Sequence, residues 1–118
     1  MMLLKDVLAL LEADLLTPAT SPEAAFGLVF ASDLMSDVLS SAQPGSLLLT
    51  GLANSHVVST CAVADLSGIV FVQGKRPAPE VIGQAQARRL TLASTKMTMF
   101  EACARLAGLV QDGGHGRR

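Results

Sequence analysis

A nucleophile, a base and an orienting carboxylate are the parts from which hydrolytic and transfer chemistry is built, and this chain offers few of them together. Ser55-His56 sets a hydroxyl beside an imidazole, but neighbours on a helix point about 100° apart and cannot easily pair. No serine sits in a Gly-x-Ser-x-Gly elbow. The second histidine, His115, lies near the C-terminus, and a single internal imidazole does not make a metal cluster. Asp33 and Asp37 stand four apart, a spacing that brings carboxylates together on a helical face. Two readings follow. A close pair can divide acid and base work or hold a hard cation. More simply, Asp33 caps a helix and Asp37 faces the positive end of its dipole. Lys75 and Arg76, beside Gly74, can hold an anion near a helix N-terminus. Their loop lacks the spacing of a phosphate loop, so a solvated basic turn is the simpler reading.

The elements that must position these residues are legible from periodicity. Leu4, Val7, Leu8 and Leu11 recur at helical spacing, predicting a helix over 3–13. Asp14 to Pro18 reads as a short extended stretch, and Ala19 to Glu23 as a turn. Phe26 to Phe30 is expected to form one strand. A helix from Asp33 carries Leu34, Val38 and Leu39, and Gln43-Pro44-Gly45 stops it. Ser46-Leu47-Leu48-Leu49-Thr50 and Gly68-Ile69-Val70-Phe71-Val72 are compact apolar runs, as in strands covered on both faces. Asn54 is a good N-cap for a helix through Ala64, and Pro79 suits the first turn of a helix reaching Arg88. Leu90 to Ala93 is a last short strand. Thr98-Met99-Phe100-Glu101 fits a capping box, opening a helix that puts Phe100, Cys103, Ala104, Ala107 and Val110 on one face. The alternation predicts an α/β fold: one compact domain with a mostly parallel sheet of four to five strands and helices outside. The domain is expected over 1–112, with a flexible tail at 113–118.

The 118 residues fit one domain, with half of them hydrophobic and only 16% charged. Either the strands are covered on both faces, or one surface is buried against a second copy. Nine basic residues against ten acidic ones, with four Phe and neither Trp nor Tyr, speak against nucleic acid. Cys61 and Cys103 are isolated in apolar patterns, so reduced thiols are expected rather than a disulfide or a zinc site. Asp6 and Glu12 interrupt the N-terminal apolar run too early for a signal peptide. No run has the length of a membrane helix. A cytoplasmic setting is the expectation, with no cofactor and no metal.

In a parallel sheet ligands sit outside the carboxyl ends of the strands. The segments leaving the predicted strands there are Ser32-Asp33, Thr50 to His56, Gln73 to Arg76 and Ser94 to Thr98. The candidate ligand-binding residues are therefore Ser32, Asp33, Thr50, Asn54, His56, Gln73, Gly74, Lys75, Arg76 and Thr95. The same residues are equally placed merely to cap helices and close turns.

Three runs carry a resemblance: Ser32 to Val38, Pro44-Gly45-Ser46-Leu47, and Ala62-Val63-Ala64-Asp65-Leu66-Ser67-Gly68-Ile69-Val70. A Gly-x-x-Pro turn at Gly74 to Pro77, a strand into Ser94-Thr95 and a closing Phe100-bearing helix complete it. From about Leu3 to Val110 the chain resembles the DRTGG domain, particularly its small stand-alone bacterial members. That family accompanies CBS nucleotide-sensing, phosphate acetyltransferase and amidotransferase domains, and is similar to the non-catalytic N-terminal domain of HPr kinase. The resemblance implies a compact α/β domain, often dimeric, with a regulatory or assembly role. Where the family's Asp-Arg pair belongs, this chain has Asn54-Ser55-His56, and where Gly-Gly is usual it has Gln73-Gly74. The first expectation is thus a non-catalytic regulatory or adaptor domain acting through homodimerisation and protein partners. The alternative is a sensor of a nucleotide or another small anion at the strand-end loops.

Overall fold

The computed structural model describes the backbone of residues 1–114 and the side chains of residues 1–109. In chain order the elements are β1 (Met2–Leu3), α1 (Leu4–Leu11), β2 (Asp14–Leu15), β3 (Ala25–Phe26), β4 (Val29–Ala31), α2 (Met35–Ser41), β5 (Leu47–Thr50), α3 (Ser55–Val63), β6 (Gly68–Phe71), α4 (Pro79–Ala87), β7 (Thr91–Ser94) and α5 (Met99–Gly114). Five strands form one sheet in the order β2-β7-β6-β5-β4. β4 to β7 are mutually parallel, and β2 joins β7 antiparallel at the edge.

The apolar runs make the centre of this sheet, and every residue of β5, β6 and β7 is buried. Side chains alternate between its faces. Leu48, Ile69, Phe71 and Leu92 meet Met35 and Val38 of α2, Val57, Val58 and Cys61 of α3, and Val81 and Ala85 of α4. Leu47, Leu49, Val70 and Ala93 meet Leu4, Val7 and Leu11 of α1 and Ala102 and Leu106 of α5. The α/β expectation holds, and double coverage accounts for the high apolar content without a second copy.

Caps fix where helices begin. Asn54 Oδ1 accepts from the Val57 N–H at 3.1 Å, and Pro79 opens α4. The Thr98 hydroxyl accepts from the Glu101 N–H, while the Glu101 carboxylate accepts from the Thr98 N–H and hydroxyl. Those bonds, the backbone one foremost, hold the Glu101 carboxyl below its usual range.

Three sequence expectations are corrected. The single strand over 26–30 is two. β3 pairs with β1, β4 pairs with β5, and between them Gly27 N–H donates to the Gly45 carbonyl. The break lets Phe26 turn into the core instead of following the sheet edge. α2 starts at Met35 with Leu34 at its N-cap position and no side-chain cap, so Asp33 does not cap it. Leu34 and Leu39 are exposed, and Met35 and Val38 face inward. On α5 the inward face is Met99, Ala102, Leu106 and Leu109, while Phe100 is 82% exposed and Ala104 and Ala107 face solvent. Both stripes have helical spacing; the one carrying the two leucines buries more apolar surface. α5 runs to Gly114, and of the tail expected at 113–118, residues 115–118 lie outside the described residues.

Candidate functional site

The polar residues at the strand carboxyl ends divide between two edges of the sheet. At the β4–β5 edge Asp33 Oδ1 accepts from the Thr50 hydroxyl at 2.8 Å and from the Gly51 N–H at 2.7 Å. The Thr50 oxygen accepts in turn from the Leu52 N–H. Asp33 therefore ties the exit of β4 to the exit of β5. Ser32 accepts from the Leu34 N–H and shapes the entry to α2. Asn54 is the cap of α3, and His56 is exposed on that helix's first turn. These contacts order loops.

The other edge differs. Gln73 and Gly74 take left-handed φ values of 58° and 71°, which swing the chain back across the ends of β6 and β7. The Gln73 N–H donates to the Met97 carbonyl, Gly74 N–H to Thr95 and Lys75 N–H to Val72. These three amides are thus engaged internally and do not cradle an anion. Lys75 contributes its carbonyl, which accepts from the Ser94 hydroxyl at 2.7 Å. The Thr95 hydroxyl donates to the Leu11 carbonyl at 2.6 Å and accepts from the Met97 N–H at 3.2 Å, binding the end of β7 to the end of α1.

These contacts leave a cleft of about 330 Å³ between the end of α1, β2 and the loops after β6 and β7. Glu12, Asp14, Arg76 and Lys96 line it, together with Leu11, Gly74, Ser94, Thr95 and Met97. Arg76 pairs with Asp14. Both side chains are more than half exposed, so the pair contributes about 0–1 kcal/mol and yields readily to a competing ligand. A smaller hollow of about 210 Å³, lined by Thr17, Thr20, Gln86, Arg89 and Leu90 among others, lies at the opposite end of β7.

Of the sequence candidates, then, Gly74, Arg76 and Thr95 share the cleft, and Gln73 and Lys75 shape its loop. Ser32, Asp33 and Thr50 gather at the far edge, and Asn54 and His56 stand apart on α3. Sequence reasoning missed Glu12, Asp14, Lys96 and Met97. Lys96 and Met97 had a signal, since they fall inside the Ser94–Thr98 exit. Glu12 and Asp14 had none, because only the antiparallel docking of β2 on β7 brings them there. The thiols lie elsewhere: burial in the core pushes Cys61 up to about 12, and half-buried Cys103 is also raised. Neither forms the reactive thiolate readily near neutral pH. Among the described residues no three His, Cys, Asp or Glu groups come together to hold a metal, and no helix is long and apolar enough to cross a membrane.

Among solved structures, the chain matches the CBS and DRTGG domains of the regulatory region of Clostridium perfringens pyrophosphatase, complexed with its activator diadenosine tetraphosphate. The TM-score is 0.74 at 18% identity, over 92% of this chain and 46% of that one. The chain has a DRTGG-like fold. It spans less than half the length of this neighbour, which is a regulatory region and not a catalytic one. No protein-family model matches the chain, and no curated protein does.

Proposed function

We propose that this DRTGG-like domain is a regulatory ligand sensor without chemistry of its own, a diverged relative of the DRTGG family acting in the cytoplasm. The observation that carries the reading is the cleft at the β2–β7 edge, where charged side chains from the end of α1, β2 and the loops after β6 and β7 meet beside the Ser94 and Thr95 hydroxyls. Its volume is at the small end of the range for ligand sites. The neighbour's nucleotide activator supports a sensing role for a regulatory region of this fold. Two free cysteines suit a reducing compartment.

Thermal unfolding of the full chain against nucleotides, amino acids, organic acids and inorganic phosphate tests it. A specific ligand at a hundred times its dissociation constant stabilises by about 2.7 kcal/mol, on the order of 10 °C for a domain of this size. Arg76→Gln is expected to abolish that rise. No response to any compound, or a response that Arg76→Gln leaves intact, removes the cleft as the sensing site.

A second reading has its own observation. Leu34 and Leu39 at α2 and Val63 at the end of α3, two helices packed together on one face of the sheet, are more than half exposed. Apolar side chains of this size in solvent suit an adaptor that pairs with a second copy or another protein. Sedimentation at micromolar concentration should then report a dimer, and a monomer sets homodimerisation aside.

A further inference from the structure

We infer that the ligand of this cleft is a small zwitterion of the α-amino acid class, and not a nucleotide or phosphate; the inference rests on the cleft being the sensing site. Three features of the lining point the same way.

The first is charge. Glu12 and Asp14 supply two carboxylates against the guanidinium of Arg76 and the ammonium of Lys96, so the lining is neutral. A polyanion entering to meet the cations also meets the carboxylates. A zwitterion places its carboxylate on Arg76 and Lys96 and its ammonium on Asp14 and Glu12. The Asp14–Arg76 pair then opens, and one exposed ion pair is exchanged for contacts of both partners with the ligand.

The second is the hydrogen-bonding polarity of the lining. Ser94 and Thr95 already donate their protons to the Lys75 and Leu11 carbonyls, so any further bond they make is as acceptors. The Gln73, Gly74 and Lys75 amides point to internal carbonyls. A phosphate is best held by a nest of successive free donors, and three successive amides of this loop are already engaged. An ammonium needs acceptors, and hydroxyl oxygens with two carboxylates supply them.

The third is the absence of an aromatic stacking surface. Nucleobases are held on aromatic faces or guanidinium planes. Phe26 and Phe71 are buried in the two cores, Phe30 packs against one of them and Phe100 stands in solvent on α5. No Phe lines the cleft, which leaves a base only the Arg76 guanidinium plane to lie on. The partly exposed Met97 suits a short aliphatic side chain.

Isothermal titration of the full chain with single L-amino acids, their N-acetyl and α-amide derivatives, ATP, diadenosine tetraphosphate and inorganic phosphate decides it. At least one amino acid is expected to bind, and removing either its ammonium or its carboxylate should weaken binding about tenfold or more. Asp14→Asn should lose discrimination against the N-acetyl derivative, and Arg76→Gln against the amide, with circular dichroism unchanged. Glu12→Gln provides a second variant on the ammonium side. Binding of a nucleotide or phosphate that Arg76→Gln abolishes, with no amino acid bound, keeps the sensor and overturns the zwitterion. An amino acid whose affinity none of these substitutions alters binds elsewhere and overturns it too. No binding by any probe removes both readings.

Discussion

Phe26→Ala is expected to destabilise the domain by about 3–5 kcal/mol, a large share of the 5–15 kcal/mol typical of a domain. The ring is 1% exposed and belongs to the core between the sheet, α1 and α5. It can lie there because Gly68, the first residue of β6, has no side chain. A Cβ at Gly68 would come within 2.8 Å of Phe26 Cε1, and within 3.2 Å of Phe26 Cζ and Leu47 Cδ1. Gly68→Ala on its own should therefore cost about 1–3 kcal/mol through overpacking. In the Phe26→Ala background the same methyl enters vacated space. The two losses should then fall short of their sum by about 0.5–3 kcal/mol, the usual coupling of residues in contact. Urea unfolding of the four proteins measures the cycle. Strict additivity would show that the ring does not rest on the glycine.

Thr95→Val is expected to cost about 2–4 kcal/mol, almost all of it polar. The substitution keeps the shape of the side chain, which is 2% exposed, while deleting both hydrogen bonds of the hydroxyl. The Leu11 carbonyl loses its donor and the Met97 N–H its acceptor, and an orphaned buried group costs about 1–3 kcal/mol. Thr95→Ser keeps the hydroxyl and should cost about 1 kcal/mol, a buried methyl's worth. Because these bonds join α1 to the loop that carries Lys96 and Met97, Thr95→Val should also weaken whatever the cleft binds. Equal unfolding midpoints for the valine and serine variants would show that packing, and not the hydroxyl, holds this corner.

Much of the fold was legible because its signals are local. The short apolar runs at Leu47–Thr50 and Gly68–Phe71, punctuated by glycine, read as strands covered on both faces, and they are. Asn54 and the Thr98–Glu101 box act on the N–H groups of the next turn, so their partners lie within three residues. The site was half legible by comparison. The rule that ligands sit at strand carboxyl ends singled out Gly74, Arg76 and Thr95. It also swept in Asp33 and Thr50, whose polarity serves to tie β4 to β5.

By itself, then, the sequence determined an α/β domain with a mostly parallel sheet, the helix starts at Asn54, Pro79 and Thr98, and the kinds of residue waiting at the strand ends. Periodicity, capping and turn chemistry act over a few residues, and such short-range terms can be read along the chain. Only the tertiary structure decided the rest. It chose the Leu106 stripe of α5 over the Phe100 stripe. It broke the strand at Gly27, and it sent Asp33 to Thr50 instead of to a helix. It also laid β2 antiparallel on β7, which brings Asp14 to Arg76 across 62 residues and Leu11 to Thr95 across 84. Contacts at such separations arise when the two faces of the sheet are covered together. The cleft exists only as a product of that packing, and its charges come from segments that no local pattern joins.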